Sequence, residues 1–140
     1  MSDDQLVTGA RTIAERYRTA VEAGDPEGLA KLYHPDALLD AHVPNWRFQV
    51  QGRHAIVEHT CRPPAPGGFT SFTAEPTASG DLLVEFEWRQ QPDEGGAVMR
   101  ELHLWQLQDG RIVEQRAYCA GIWSQELQAR MADEAPLIRA

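Results

Sequence analysis

The chain has 140 residues, 42% hydrophobic and 24% charged, with a formal net charge of -8. That size and balance suit one globular unit able to bury a core without metal or disulfide staples. The acidic balance argues against a nucleic-acid backbone or an anionic membrane as partner. No apolar run approaches the roughly 20 residues that span a bilayer. The acidic start MSDDQLVTGA is unlike a secretory leader. Cys61 and Cys119 are too few for a disulfide framework and lack metal spacing. The expectation is a soluble, cytoplasmic protein.

Residues 3–23 predict an amphipathic helix. Leu6, Ala10, Ile13, Tyr17 and Val21 recur at three- and four-residue steps, with Val7, Ala14 and Ala20 widening the stripe. Gly24 ends it. Asp25-Pro26 caps a second helix with Leu29, Leu32 and Tyr33 on one face, stopped by His34-Pro35-Asp36. Residues 37–43 and 46–51 predict a hairpin turned by Pro44-Asn45. A third helix is expected over about 53–61. The run from Pro63 to Gly68 reads as loop. Strands are expected at about 69–78, 81–90, 98–108 and 111–119, with hairpin signals at Ser79-Gly80-Asp81 and Asp109-Gly110. Residues 124–134 predict a terminal helix. The chain thus divides into a main unit over 1–123 and a helix with tail over 124–140.

Strand parity carries the functional argument. Leu82, Val84, Phe86 and Trp88 share one face of their strand; Met99, Glu101, His103, Trp105 and Leu107 share one face of the next. The opposite faces are also substantially apolar. A sheet covered by helices on one side needs only one such face. The second therefore predicts a homodimer through the outer sheet face.

The order of elements, together with Glu15-Arg16-Tyr17, Ala23-Gly24-Asp25, Leu32-Tyr33-His34-Pro35-Asp36-Ala37, Gly52-Arg53-His54-Ala55-Ile56 and Leu107-Gln108-Asp109-Gly110-Arg111-Ile112-Val113, resembles the nuclear transport factor 2-like superfamily. The nearest branches are the SnoaL-like polyketide cyclases, ketosteroid isomerases and limonene epoxide hydrolases. The resemblance implies an α+β fold: a curved antiparallel sheet wrapped around three helices to form a cone with an apolar pocket. Such a fold hosts enzymes and non-enzymes alike.

By the same resemblance, Tyr17 matches a hydrogen-bonding tyrosine of the isomerases. Their general-base aspartate falls on Ala41, flanked by Asp40 and His42, which alternation sends to the other face unless a bulge intervenes. Their oxyanion-donating acid falls on His103, which can donate a hydrogen bond or transfer a proton. The essential aspartate of the epoxide hydrolases falls on Ala117, which argues against that reaction.

These residues give the functional expectation. A small apolar, ring-containing or polyketide-like ligand enters the cone and is isomerised, cyclised or dehydrated by acid/base chemistry, with no cofactor. His103 is the leading catalytic candidate, with Asp40 or His42 as second proton-transfer group and Tyr17 as hydrogen-bond donor. Trp46, Trp105, Tyr118 and Glu101 are expected to shape the pocket. A metal held by Asp40, His42, Glu101 and His103 is possible in principle, since both pairs are spaced i, i+2, but the expectation is no metal. The alternative is a non-catalytic dimeric binding or accessory domain of the same fold, supported by the alanines at 41 and 117.

Overall fold

The computed structural model describes residues 3–61 and 67–139, with side chains from residue 9 onward. Leu6 and Val7 of the expected apolar stripe, and most of the Pro63–Gly68 segment, lie outside the described side chains. The elements are α1 (Asp3–Ala23), α2 (Pro26–Ala30), β1 (Tyr33–Val43), β2 (Trp46–Gln51), α3 (Arg53–Thr60), β3 (Gly67–Pro76), β4 (Leu82–Gln90), β5 (Val98–Gln108), β6 (Arg111–Trp123) and α4 (Gln125–Glu134). A short 3-10 turn over Pro92–Glu94 joins β4 to β5.

The architecture is α+β. One six-stranded sheet runs in the order β2-β1-β6-β5-β4-β3 and is not closed, because β2 and β3 are its edges. Four of the neighbouring pairs are antiparallel, and β1–β6 is parallel. Helix α1 buries Ala10, Ile13, Ala14, Tyr17 and Ala20, the stripe its spacing predicts, against Val84, Phe86, Trp105 and the rest of the core. Small residues at 10, 14 and 20 let the helix approach the concave sheet closely.

Three boundaries differ from the sequence reading. The second helix stops at Ala30, and Tyr33-His34-Pro35 begins β1 instead of closing a helix. Long-range pairing wins here: Ile112 donates its N–H to the Leu32 carbonyl at 2.8 Å, and Tyr33 pairs with Ile112. The ladder then shifts between Tyr33 and Leu38, around Pro35, which has no N–H to contribute. Strand β3 starts at Gly67, inside the expected loop, and β6 runs to Trp123, past the expected end at 119. The turns follow the residues that accept positive φ: Asn45 at 63°, and Asp109 at 52° followed by Gly110 at 75°.

The register builds three rows across the concave face. Leu39, Gln115, Trp105 and Leu82 form one; Ala41, Ala117, His103 and Val84 the next; Cys119, Glu101 and Phe86 the third. Polar residues thus fall into the middle of an apolar surface. Alanine on β6 beside His103 leaves space above the sheet. No described helix is long and apolar enough to cross a membrane.

Candidate active site

A cavity of about 660 Å³ opens between α1, α3 and the concave face. That lies within the ordinary range for small-molecule sites. Its walls are mainly apolar: Val21, Leu39, Phe48, Phe69, Phe86, Trp88 and Met99 among them. Tyr17, Glu101, His103 and Gln115 bring polar atoms to it. Phe69 and Trp88 meet edge to face at 4.9 Å, and Phe86 meets the His103 ring similarly at 5.1 Å.

His103 is 4% exposed and fully engaged in hydrogen bonds. Its Nδ1 lies 3.0 Å from Nε1 of Trp105 and 3.1 Å from Nε2 of Gln115. Its Nε2 lies 2.9 Å from Oε1 of Glu101. The roles follow from elementary chemistry. An indole N–H only donates, so Nδ1 is an acceptor and carries no proton. The ring proton is therefore on Nε2, and it is donated to the Glu101 carboxylate. Glu101, His103 and Trp105 stand at i, i+2 steps on β5, so all three project to one face and touch in sequence.

The network continues downward. Gln115, 1% exposed, accepts from the Tyr33 hydroxyl at 2.7 Å through Oε1. Tyr17 lies close enough for Gln115 to favour its ionised form slightly, against the larger effect of burial. Burial raises the pKa of Tyr17, and the nearby Glu101 charge adds to the effect. Burial pushes that of Tyr33 up as well, with Tyr17 as a second cause. Both phenols thus remain donors. Trp105, fully buried, packs edge-on against Tyr17 at 4.7 Å and lies beneath the cavity instead of lining it.

Besides Trp105, four expected site residues are placed differently. Asp40 faces the convex side. The Arg47 guanidinium grips its carboxylate with two bonds, of 2.9 and 2.8 Å, and pulls its pKa down to about 2. No bulge intervenes: Leu39, Asp40, Ala41 and His42 pair with β6 in unbroken register, so the methyl of Ala41 faces inward. His42 reaches the cavity lining, but its ring stacks on Tyr118 at 4.5 Å and its Nε2 is 3.5 Å from Asp40. Tyr118 is on the convex face and 47% exposed, since Ala117 takes the inward position. Trp46, at the start of an edge strand, is 71% exposed and does not line the cavity. Strand alternation accounts for Asp40 and Tyr118.

The four residues weighed for a metal are accordingly split between two clusters, Asp40 with His42 and Glu101 with His103. Among the described residues, no three histidine, cysteine or acidic side chains gather around one point. Cys119 lines the cavity beside Glu101, its thiol pKa raised by burial. Gln115 had no assigned role in the sequence reading. Its signal was available: a carboxamide at the inward parity of β6, in step with Ala117 and Cys119.

The family comparison decides the lineage. Residues 14–115 match the model of the SnoaL-like domain. The chain belongs to the SnoaL-like domain family. No curated protein matches it. Its fold is similar to that of a Xanthomonas campestris pv. campestris protein provisionally named a polyketide cyclase, with TM-score 0.68 and 14% identity over 81% of this chain and 91% of that one. A Bacillus subtilis protein provisionally named an isomerase gives TM-score 0.67 and 19% identity over 85% and 89%. An NTF2-like protein of unknown function from Mesorhizobium loti gives 0.64 and 23% over 86% and 98%. These likenesses establish the fold of this SnoaL-like chain and leave its chemistry to its own residues.

Proposed function

We propose that this SnoaL-like protein is a small acid/base enzyme acting on an apolar, ring-containing or polyketide-like carbonyl compound, and that Glu101 is its proton-transfer group. The observation that carries this reading is the Glu101 carboxylate, 17% exposed, set in an apolar cavity with one oxygen held by the His103 N–H. A polar titratable group in an apolar pocket is the usual mark of a functional site.

In the simplest cycle, Oε2 of Glu101 takes a proton from a carbon next to the ligand carbonyl. The C–H electron pair moves into the enolate, and the charge comes to rest on the carbonyl oxygen. The carboxylic acid then returns the proton at another carbon of the conjugated system, and the double bond has moved. Cyclisation or elimination would branch from the same enolate. His103 orients the base instead of serving as one, because its Nδ1 is already occupied by two donors. Tyr17, a neutral phenol at the cavity wall, is the hydrogen-bond donor nearest in character to an oxyanion partner. This cycle calls on no cofactor.

The test is Glu101→Gln, which keeps shape and removes the base. On a panel of cyclic enones and ketones, the variant should lose about 10²–10⁴ in kcat while still binding the same compounds. Equal rates in the two proteins would overturn the assignment.

A second reading has a specific observation behind it. Ala41 and Ala117 both line the cavity, at the positions where the resemblance to ketosteroid isomerases and epoxide hydrolases implies aspartates. Tight binding of panel compounds with no turnover by either protein would favour a ligand-binding role. In both readings we infer that two copies pair through the convex face, where Leu83, Leu102 and Tyr118 remain exposed.

A further inference from the structure

We propose that Gln115 is a positioning residue of this site: as the second donor to Nδ1 of His103, beside Trp105, it helps hold the ring proton on Nε2, so that the Glu101 carboxylate meets a donor and not a lone pair. The inference deepens the reading of Glu101 as the base and rests on it.

The argument starts at the buried end. Tyr33 is completely buried, and its hydroxyl bonds Oε1 of Gln115 at 2.7 Å. That contact leaves the Gln115 amide nitrogen facing Nδ1 of His103 at 3.1 Å. Reversing the carboxamide would bring its oxygen against Nδ1, whose lone pair is already required by the Trp105 N–H at 3.0 Å. Two acceptors would then face each other in a buried place, which is costly. The Nδ1 end of Gln115 therefore demands this orientation, and the Tyr33 hydroxyl, which can donate or accept, completes it by donating to Oε1. With Nδ1 doubly occupied, the ring proton stays on Nε2 and points at Oε1 of Glu101, 2.9 Å away.

The opposite tautomer would aim a lone pair at the carboxylate. Glu101 would then turn away from His103 or take up a proton to satisfy the contact, and in either state it would no longer present a fixed basic oxygen to the cavity. Trp105 alone supplies one donor from the same strand. Gln115 supplies the second from the neighbouring strand and ties it to Tyr33, so the imidazole is held from two directions.

Nitrogen NMR of protein labelled at histidine tests this without turnover, with the His103 signals identified by their loss in His103→Asn. In the wild type at neutral pH, Nδ1 should be unprotonated and Nε2 protonated. Gln115→Glu keeps the shape but presents an acceptor to Nδ1, and should shift the signal of that nitrogen toward the protonated form. Gln115→Met fills the same volume without a donor, and should give a mixture of tautomers. A protonated Nδ1 in the wild type overturns the proposal. So does an unchanged His103 spectrum in both folded variants, which would leave Trp105 as sufficient. If a panel compound is turned over, Gln115→Met should lower kcat at least about tenfold with KM changed less than about threefold. A tautomer that shifts as expected in a protein without turnover would retain the positioning role and reject the base.

Discussion

Trp105 donates its indole N–H to Nδ1 of His103 at 3.0 Å, two positions along the same strand, and with the Gln115 amide on the same nitrogen it leaves the imidazole proton on Nε2. The contact bears directly on the role expected of His103. His103 was the leading acid/base candidate because of its position, but its partners make it a donor to Glu101. The proposed cycle accordingly assigns proton transfer to Glu101, two residues earlier.

Trp105→Phe tests the structural weight of that bond. The phenyl ring keeps most of the packing and loses the donor. Stability should fall by about 1–3 kcal/mol, read as a lower urea midpoint with an unchanged slope. A variant as stable as the wild type would mean that the indole N–H contributes nothing net.

Ala117 and Tyr118 are adjacent in sequence and lie on opposite faces. Ala117→Phe should fill the cavity floor and weaken ligand binding at least about tenfold, at a packing cost of about 1–3 kcal/mol. Tyr118→Leu should leave binding within about twofold, because the side chain it changes is on the convex face. Calorimetric titration with a panel compound checks both. Loss of binding in the Tyr118 variant alone would contradict the strand register.

Two convex-face carboxylates predict acid sensitivity. The Arg47 hydrogen bonds lower Asp40 from 3.8 to about 2. Thr70 first, then Arg100 and Arg89, lower Glu87 from 4.5 to about 2. For both groups the folded pKa is below the unfolded one. Their contribution is therefore complete above the unfolded values and is lost as pH falls from about 4.5 toward 2. Urea midpoints measured across that window should decline, and Arg47→Met should remove the Asp40 share of the slope. The arginines are about half exposed, so added salt should shrink the effect.

The dimer inference is tested by Leu102→Glu, a substitution on the convex face beside Tyr118. Light scattering at micromolar concentration should give twice the chain mass for the wild type and a shift toward the single chain for the variant. A wild type that scatters as one chain would sink the inference.

Much of this fold was legible from periodicity. The α1 stripe from Ala10 to Ala20, the inward parity of Phe86 and His103, and the Asp109-Gly110 turn are local signals, and each sits as expected. The helix ending was illegible because Tyr33 is claimed by Ile112, a partner far along the chain. The site was half legible for the same reason. Parity placed Glu101, His103 and Trp105 together, since they share a strand. Parity could mark Gln115 as inward-facing, but its place diagonally across from His103 follows only from the pairing of β5 with β6, which no spacing along one strand reports. The register of β1 decided Asp40: alternation alone gave the correct outward direction, and the bulge that would have reversed it is absent.

The parallel pairing of β1 with β6 has a consequence for assembly. Tyr33 and Gln115, whose side chains join at the base of the hydrogen-bond network, are 82 positions apart. The two-stranded β1–β2 hairpin can form early, but it cannot join the rest of the sheet until β6 has been made. On the ribosome that hairpin must wait for the last strand before it can join the sheet, although α1 can already pack on β3 and α3 on β1. The polar chain from Tyr33 to Glu101 is then among the latest parts to form, so a folding intermediate would have helices and hairpins but no site.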